Sequence, residues 1–287
     1  MQLMISVFKD PLLQKQFEQK GYIHLSSLLT ASQIESLLAL FNQFQAEASD
    51  AFHTSHFSTN VVYKQQVHDT ISNVVYPKAS PYLNNFIPVF GNFMIKNPDA
   101  ERFMPLHADW AYVDESKHSS VAIWMPLVDV EALNGCLGVV EGSHRVTNAI
   151  RGPLIHQSSY KHDREWVTHF GKLIPMKAGD AIIYHHGLLH YSPPNKSNVS
   201  RPALNLSVVP QNTPLLHYCK PEGATDIELY EVNDSSFYIH YNNFQRPETG
   251  RLIKTLPVTK VELIDERMEK FGKPKSIFER VRVWLSA

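Results

Sequence analysis

Residues 120–140 read SVAIWMPLVDVEALNGCLGVV and hold two short apolar runs separated by a polar stretch. The first run, 120–127, and the second, 137–140, contain the β-branched, aromatic and aliphatic residues that favour strands. Asn134-Gly135 lies between them, and an Asn-Gly pair between apolar runs is typical of a hairpin turn. The stretch therefore predicts two strands joined as a β-hairpin.

Other short apolar segments of the chain have the same character. They are separated by turn-forming residues, for example at 97–99, where the sequence reads Asn-Pro-Asp. Many short strands with turns between them favour a sandwich or a closed barrel over alternating βα units. We therefore predict a mainly β fold with flanking α-helices. The additional strand segments are 93–96, 104–110, 173–176, 181–185 and 204–209.

Two amphipathic segments lie near the N-terminus, before most of the predicted strands. Residues 10–20 have apolar side chains at helical spacing, and Gly21 follows them as a helix terminator. Thr30 and Gln33 resemble a capping box that opens a second helix reaching to about residue 47. We expect both helices to pack on the outside of one sheet. The remaining predictions for this part are a strand at 22–25 and loops with one or two short strands at 50–80.

The 287 residues suit one large domain or two small ones. Because no internal repeat, low-complexity tract or Pro/Ser-rich linker is visible, we predict a single domain over 1–287. It has a helical N-terminal part, a β core at about 90–210 and a C-terminal extension at about 211–287, with helices at 261–270 and 277–284. A polar, His-rich insertion at 145–172 interrupts the core, and a connection of that length is often functional, for example as a lid.

Composition excludes several function classes. Lys and Arg number 27 against 28 Asp and Glu, without an extended basic block, so nucleic acid is not an expected partner. The sequence contains no run of 18 apolar residues, so we predict no membrane span. The first residues do not resemble a signal peptide. The two cysteines indicate no disulfide framework and a reducing compartment. We predict a cytoplasmic protein whose partner is a small-molecule substrate; no oligomeric state follows from the sequence.

Residues 104–110, MPLHADW, contain a His-x-Asp pair. In a strand, residues i and i+2 point to the same face, so His107 and Asp109 can reach one metal ion. A second histidine from a distant strand would complete two imidazoles and one carboxylate with open positions, the arrangement used for non-haem iron(II). Alone, the pair is a weak signal, and a local hydrogen bond at a solvent-facing strand end is the simpler interpretation.

A second segment, 179–192, reads GDAIIYHHGLLHYS and supplies a candidate for that histidine. His190 lies beyond an apolar strand, and Arg201 follows eleven residues later at the start of RPALNLSVV. A buried arginine is a good partner for a carboxylate because its planar fork donates two charge-assisted hydrogen bonds. We expect Arg201 to lie near His190, on a neighbouring strand.

Six short motifs follow one another along the chain. They are His107-x-Asp109, Asn134-Gly135-x-Leu137, Gly142-Ser143-His144, Gly179-Asp180, His190-x-Ser192 and Arg201. Each is common alone, but the ordered set is specific. It resembles the phytanoyl-CoA dioxygenase family of iron(II)- and 2-oxoglutarate-dependent oxygenases over residues ~10 to ~210.

The resemblance implies a double-stranded β-helix (jelly-roll) core, with Fe(II), 2-oxoglutarate as cosubstrate and O₂. His107, Asp109 and His190 would be the metal ligands. Arg201 would bind the distal carboxylate of 2-oxoglutarate with help from Ser192. The resemblance also implies cosubstrate contacts from Trp124 and Lys96.

The implied activity is hydroxylation of an unactivated C–H bond in a small metabolite, with release of succinate and CO₂. Related halogenases have a small residue in place of the carboxylate, so Asp109 favours hydroxylation. Glu141 stands where the family usually has proline before Gly-Ser-His.

Two alternatives remain open on the sequence. One is a non-catalytic cupin-like protein that binds a small molecule, and the other is a zinc-dependent hydrolase with the same ligands. The insertion carries basic residues that could cover an anionic substrate, although a solvated loop explains them equally well. These residues are Arg151, Lys161, Arg164 and Lys172.

Overall fold

The computed structural model describes residues 6–43, 51–146, 150–155, 163–241, 245–260 and 268. Strands dominate this part of the chain, and most of the helices lie near its N-terminus. In chain order the elements are α1 (Pro11–Lys20), β1 (Tyr22–Leu25), α2 (Ala31–Gln43), β2 (Phe52–Thr54), α3 (Val61–Ala79), β3 (Phe86–Lys96), β4 (Met104–His107), β5 (Val121–Pro126), β6 (Leu137–Val140), α4 (Asp163–Phe170), β7 (Gly171–Ile174), β8 (Ala181–His185), β9 (His190–Ser192), β10 (Arg201–Pro210), β11 (Leu215–Cys219), β12 (Asp226–Val232), α5 (Ser236–His240) and β13 (Arg251–Pro257).

Two antiparallel sheets form the core. The larger has six strands in the order β1-β8-β5-β10-β3-β2, and the smaller has four in the order β4-β9-β6-β7. Trp124 and Tyr184 of the large sheet share one buried apolar cluster with Val139 and Ile174 of the small sheet. The sheets therefore pack face to face, and the predicted mainly β, jelly-roll fold is confirmed.

The N-terminal helices cover the outer face of the large sheet, as the sequence predicted. Phe41 of α2 packs its ring 5.5 Å from that of Phe93 on β3. Helix α3 approaches β3 closely at Gly91, where a Cβ atom would lie 3.2 Å from the side chain of Ile71. Glycine at this position therefore lets the helix lie against the strand.

The prediction of loops for residues 50–80 is wrong for most of that stretch. Strand β2 agrees with it, but Val61–Ala79 form the 19-residue helix α3, which Asn60 caps by accepting a hydrogen bond from the Tyr63 amide. The helix contains many β-branched residues and Pro77 near its end, which lower helix propensity. Its buried positions instead follow a four-residue spacing, and they include Tyr63, Val67, Ile71, Val75 and Ala79.

The predicted hairpin at Asn134-Gly135 is also wrong. Strand β5 pairs with β8 and β10 in the large sheet, whereas β6 pairs with β7 and β9 in the small one. The chain therefore crosses between the sheets. Gly135 has a φ of 77°, which suits glycine, and a Cβ atom there would lie 2.8 Å from the carbonyl oxygen of Pro193. The Asn-Gly pair makes a tight turn, as expected, but the turn joins two sheets.

The C-terminal part adds a small antiparallel sheet of order β11-β12-β13. Its Tyr230 and Val232 pack with Phe90 and Tyr112 in one apolar cluster. Sequence patterns had not indicated these strands. The helices predicted at 261–270 and 277–284 lie outside the described residues, apart from residue 268.

No described helix is both long enough and apolar enough to cross a membrane. Cys136 and Cys219 are buried free thiols.

Candidate metal centre

Strands β4 and β9 pair so that His107 lies directly opposite His190. Asp109 follows two residues after the end of β4. Each of the three side chains offers a ligand atom, and these atoms all lie within 4.8 Å of one another. The His190 Nε2 atom is 3.7 Å from Asp109 Oδ1. The pairing of β4 with β9 thus brings His107 and Asp109 close to His190, which lies 83 positions after His107 in the sequence.

Both imidazoles are oriented by backbone carbonyl groups. The Nδ1–H of His107 donates to the Pro105 carbonyl oxygen at 2.7 Å, and that of His190 donates to the Leu188 carbonyl oxygen at 3.0 Å. With Nδ1 protonated, the lone pair of each ring is on Nε2, which is the form that binds a metal.

Burial also favours the neutral form of His107. Burial and, to a smaller extent, the nearby His190 together lower the pKa of this imidazole to about 4. The His107 ring is therefore uncharged at neutral pH and can offer the lone pair of Nε2 to a metal, as a metal ligand must.

Asp109 is held by groups on two sides. The hydroxyl of Tyr184 donates to Asp109 Oδ2 at 2.6 Å, and Arg151 Nε donates to the Asp109 carbonyl oxygen at 2.6 Å. Burial opposes ionisation, but the adjacent His190 and other histidines, together with Tyr184, hold the pKa of the Asp109 carboxyl below its usual range. Oδ1 remains directed toward the histidines, so Asp109 presents one oxygen to the centre.

We expect Tyr184→Phe to weaken Fe(II) binding by about 10- to 100-fold, because ligand-orienting partners have effects of that size. The substitution removes only the hydroxyl that fixes Asp109 Oδ2. Anaerobic titration with Fe(II) measures the affinity directly.

Tyr238→Phe is a matched control for Tyr184→Phe. Its hydroxyl is also buried and donates to the Leu216 carbonyl oxygen at 2.8 Å, away from the centre. Equal loss of metal affinity in both variants would mean that Tyr184 acts only through stability.

Arg151 belongs to a buried ion pair beneath the centre. Its guanidinium donates to both carboxylate oxygens of Glu115, at 2.6 and 2.8 Å. The side chain of Arg151 is fully buried and that of Glu115 is 9% exposed. The pair anchors the chain at 150–155 against the residues that follow β4. The sequence showed Arg151 only as a basic residue of the insertion, and it gave no signal for Glu115 or Tyr184.

Arg201 begins β10 and is 3% exposed. Its Nε atom has no hydrogen-bond partner, and none of the described residues forms an ion pair with its guanidinium. Trp124 flanks it, with the guanidinium carbon 5.5 Å from the ring centroid. Burial lowers the Arg201 pKa to about 10, which still leaves a cation at neutral pH. A buried cation without an anion is costly, so the site is built to receive one.

Lys96 pairs with Arg201 in the register of β3 and β10. Its Nζ group donates to the Ser192 carbonyl and hydroxyl oxygens, both at 3.0 Å, and to the Pro193 carbonyl oxygen. Burial lowers the Lys96 pKa to about 7, and the charge of Arg201 contributes. Lys96 therefore fastens the end of β9 to the large sheet beside Arg201. A direct contact from Lys96 or Ser192 to a cosubstrate stays a prediction.

The expectation that Arg201 lies on a strand next to His190 is wrong. Strand β9 belongs to the small sheet and β10 to the large one. The two residues instead face the space between the sheets from opposite sides, and the contact of Lys96 with Ser192 links those sides. The eleven-residue spacing from His190 to Arg201 is compatible with a hairpin within one sheet and with a crossover to the other sheet. The spacing alone did not distinguish these two connections.

The donor set fits a six-coordinate metal that keeps open positions. Two neutral imidazoles and one carboxylate form one face, which is the arrangement used for non-haem iron(II). Arg201 adds a cation without an ion-pair partner among the described residues. The residues present therefore fit iron together with an anionic cosubstrate.

The chain belongs to the phytanoyl-CoA dioxygenase family, whose model matches residues 17–203. The predicted family resemblance is therefore confirmed. The family comprises iron- and 2-oxoglutarate-dependent oxygenases.

Curated relatives match parts of the chain. Phytanoyl-CoA dioxygenase 1 of Oryza sativa subsp. japonica is 31% identical over 121 residues, which cover 41% of this chain and 42% of that protein. Phytanoyl-CoA dioxygenase of Arabidopsis thaliana is 33% identical over 124 residues, with the same two coverages. The 1-deoxypentalenic acid 11-beta-hydroxylase of Streptomyces arenae is 24% identical over 221 residues, covering 64% of this chain and 75% of that protein. The matches to both plant enzymes thus span under half of their length.

Solved structures share the fold at low sequence identity. The non-heme alpha ketoglutarate dependent carbocyclase SnoK from nogalamycin biosynthesis superposes with a TM-score of 0.53 at 16% identity, covering 72% of this chain and 86% of that one. HygX from Streptomyces hygroscopicus, solved with nickel and 2-oxoglutarate bound, gives a TM-score of 0.52 at 12% identity, covering 71% and 88%.

Glu141, which replaces the usual proline before Gly-Ser-His, has a structural role. Tyr22 of β1 donates its hydroxyl to Glu141 Oε1 at 2.7 Å, and Lys172 of β7 donates to the same oxygen at 2.9 Å. Glu141 therefore links elements of both sheets where the family usually has proline.

Proposed function

We propose that this protein is an Fe(II)- and 2-oxoglutarate-dependent dioxygenase that hydroxylates an unactivated C–H bond of a small molecule. One observation carries the proposal: a His-Asp-His cluster shares the space between the sheets with a buried arginine, Arg201, that has no ion-pair partner among the described residues. A metal-binding cluster alone suits many functions. The added cation calls for an anionic ligand close to the metal.

The residues divide the binding of metal and cosubstrate between the two sheets. His107, Asp109 and His190 would hold the iron from the small-sheet side, and Arg201 would bind the distal carboxylate of 2-oxoglutarate from the large sheet. Trp124 would flank that carboxylate through its stacking on Arg201. Iron, 2-oxoglutarate and O₂ together supply the oxidising power for hydroxylation, with succinate and CO₂ as co-products.

The protein would contribute orientation and exclusion of water. The carbonyl oxygens of Pro105 and Leu188 fix both imidazoles, and Tyr184 fixes the carboxylate. His190 and Arg201 are 5% and 3% exposed, so few water molecules reach the groups that would bind the cosubstrate. Asp109 occupies the ligand position that related halogenases leave open, which supports hydroxylation as the outcome.

Anaerobic titration tests the proposal. We expect the Fe(II) protein to bind 2-oxoglutarate with stoichiometry near one and to develop a weak visible charge-transfer band. Admission of O₂ should then give succinate, and the amount should rise when a substrate from a metabolite library is present.

The same experiment separates the alternatives. A non-catalytic binding protein would yield no succinate above the level of the iron-free protein. A hydrolase would turn over with zinc and without O₂. Either result would contradict the proposal.

We also infer a cytoplasmic location. Cys136 and Cys219 are both unpaired thiols, and this supports a reducing compartment.

A further inference from the structure

A cavity of about 420 Å³ opens beside His107 and Asp109. Its volume is in the lower part of the range for small-molecule sites. Most of its wall is aromatic or aliphatic and includes Phe90, Trp110 and Ile155. The rings of Phe90 and Trp110 both stand edge-to-face against His56, with centroids 4.8 and 4.9 Å away. These contacts fix the aromatic side chains, so the wall suits a ring system.

The described residues that line the cavity include no Lys, Arg or Glu. Asp109, a metal ligand, is the acidic residue among them. An anionic substrate group in this cavity would therefore be buried without a lysine or arginine partner in the described wall, which is costly.

Three of the four basic residues that the sequence offered in the insertion are used elsewhere, and the fourth, Lys161, lies outside the described residues. Arg151 is paired with Glu115, and Lys172 donates to Glu141. Arg164 lies over the ring of Phe103, 5.8 Å from its centroid, on the outer side of the small sheet. These three side chains are thus engaged within the protein. The expectation that the insertion covers an anionic substrate receives no support from them.

One wall of the cavity carries a neutral polar pair. Asn92 on β3 lies directly opposite Asn205 on β10, and both line the cavity. Asn92 Nδ2 donates to Thr54 Oγ1 at 2.7 Å. The buried amide oxygen of Asn205 has no hydrogen-bond partner among the described residues. A buried acceptor of this kind is costly unless a ligand supplies a donor.

We propose that this cavity binds an uncharged, ring-bearing small molecule with a hydroxyl group that hydrogen bonds to Asn205, and that it excludes anionic substrates. The inference rests on the proposed function, because it names the substrate class of the same centre. A hydroxyl matches Asn205 because it both donates and accepts. Aromatic contacts from Phe90 and Trp110 hold the rings, and the C–H bond to be hydroxylated faces His107 and Asp109.

Three probes of similar shape test the proposal: 2-naphthol, naphthalene and 2-naphthoate. Their binding to the anaerobic Fe(II) protein, preloaded with 2-oxoglutarate, is measured by calorimetry at neutral pH. We expect 2-naphthol to bind about fivefold to tenfold more tightly than naphthalene, the usual gain from one hydrogen bond. We expect 2-naphthoate to bind at least about tenfold more weakly than 2-naphthol, because its charge has no lysine or arginine partner among the described residues of the wall.

Two variants give independent readouts. Asn205→Leu should bind 2-naphthol and naphthalene equally, while its thermal melting and Fe(II) titration report whether it has folded. Phe57→Arg places a cation at an exposed wall position, since Phe57 is 54% exposed, and should improve 2-naphthoate binding relative to 2-naphthol.

Two results would overturn the inference. The first is that wild-type protein binds 2-naphthoate as tightly as 2-naphthol. The second is that calorimetry detects no heat of binding for any of the three probes. Failure of the proposed function is distinguishable, because it would appear earlier, as a failure of the Fe(II) protein to bind 2-oxoglutarate.

Discussion

Asp109→Ala will abolish succinate formation and weaken Fe(II) binding by more than about 100-fold, a larger loss than removal of a ligand-orienting partner causes. Asp109 supplies the only carboxylate of the described cluster, and its Oδ1 atom is 3.7 Å from His190 Nε2. Without it, two neutral imidazoles face the metal, and the charge that balances Fe(II) is lost. Iron binding is measured anaerobically and succinate after O₂ is admitted.

Asp129→Ala is the control for Asp109→Ala. Its carboxylate is 61% exposed and pairs with Lys177 at 2.7 Å on the surface, so its loss should leave metal affinity unchanged. Succinate formation at wild-type rates by Asp109→Ala would show that the centre lies elsewhere.

The sequence could identify the three candidate ligands because they occur in short motifs with a fixed spacing. These residues are His107, Asp109 and His190. His-x-Asp was predicted from the two-residue repeat of a strand over 104–110, but β4 ends at His107, so Asp109 lies just beyond the strand. The order of motifs then pointed to His190 and Arg201. In the structure, strand pairing places His107 opposite His190, and the assignment of the three residues as metal ligands stays a proposal.

The contacts around these ligands could not be predicted, because they depend on tertiary packing. Tyr184 reaches Asp109 from the large sheet, and Glu115 reaches Arg151 from a loop. Neither has a distinctive sequence neighbourhood.

The errors in the fold prediction have the same origin. The Asn-Gly turn at 134–135 specifies a local backbone shape, but not whether the next strand joins the same sheet. Helix α3 is specified by its contacts with β3, which outweigh the low helix propensity of its valines and isoleucine. Local signals thus located most of the core strands and the motifs, while the sheet to which each strand belongs was set by long-range pairing.

Arg201→Met should raise the KM for 2-oxoglutarate by roughly 30-fold or more. Removal of one partner of a buried, hydrogen-bonded charge pair costs about 2 kcal/mol or more, and 1.4 kcal/mol corresponds to tenfold. Fe(II) affinity should change little, because Arg201 lies on the sheet opposite the proposed ligands His107 and His190. Arg246→Met is the control, since Arg246 is 64% exposed and pairs with Glu228 away from the centre.

A second cosubstrate distinguishes a lost carboxylate contact from general damage. 2-Oxopentanoate keeps the keto acid but lacks the distal carboxylate, so wild-type protein should strongly prefer 2-oxoglutarate, whereas Arg201→Met should bind the two alike. The variant should also melt at an equal or higher temperature without ligand, because a buried cation with no ion-pair partner among the described residues has been removed. Addition of 2-oxoglutarate should then raise the melting temperature of the wild type more than that of the variant. If Arg201→Met retained the wild-type preference for 2-oxoglutarate, the distal carboxylate would be bound by another residue, and Lys96, beside Arg201 in the strand register, would be the next to substitute.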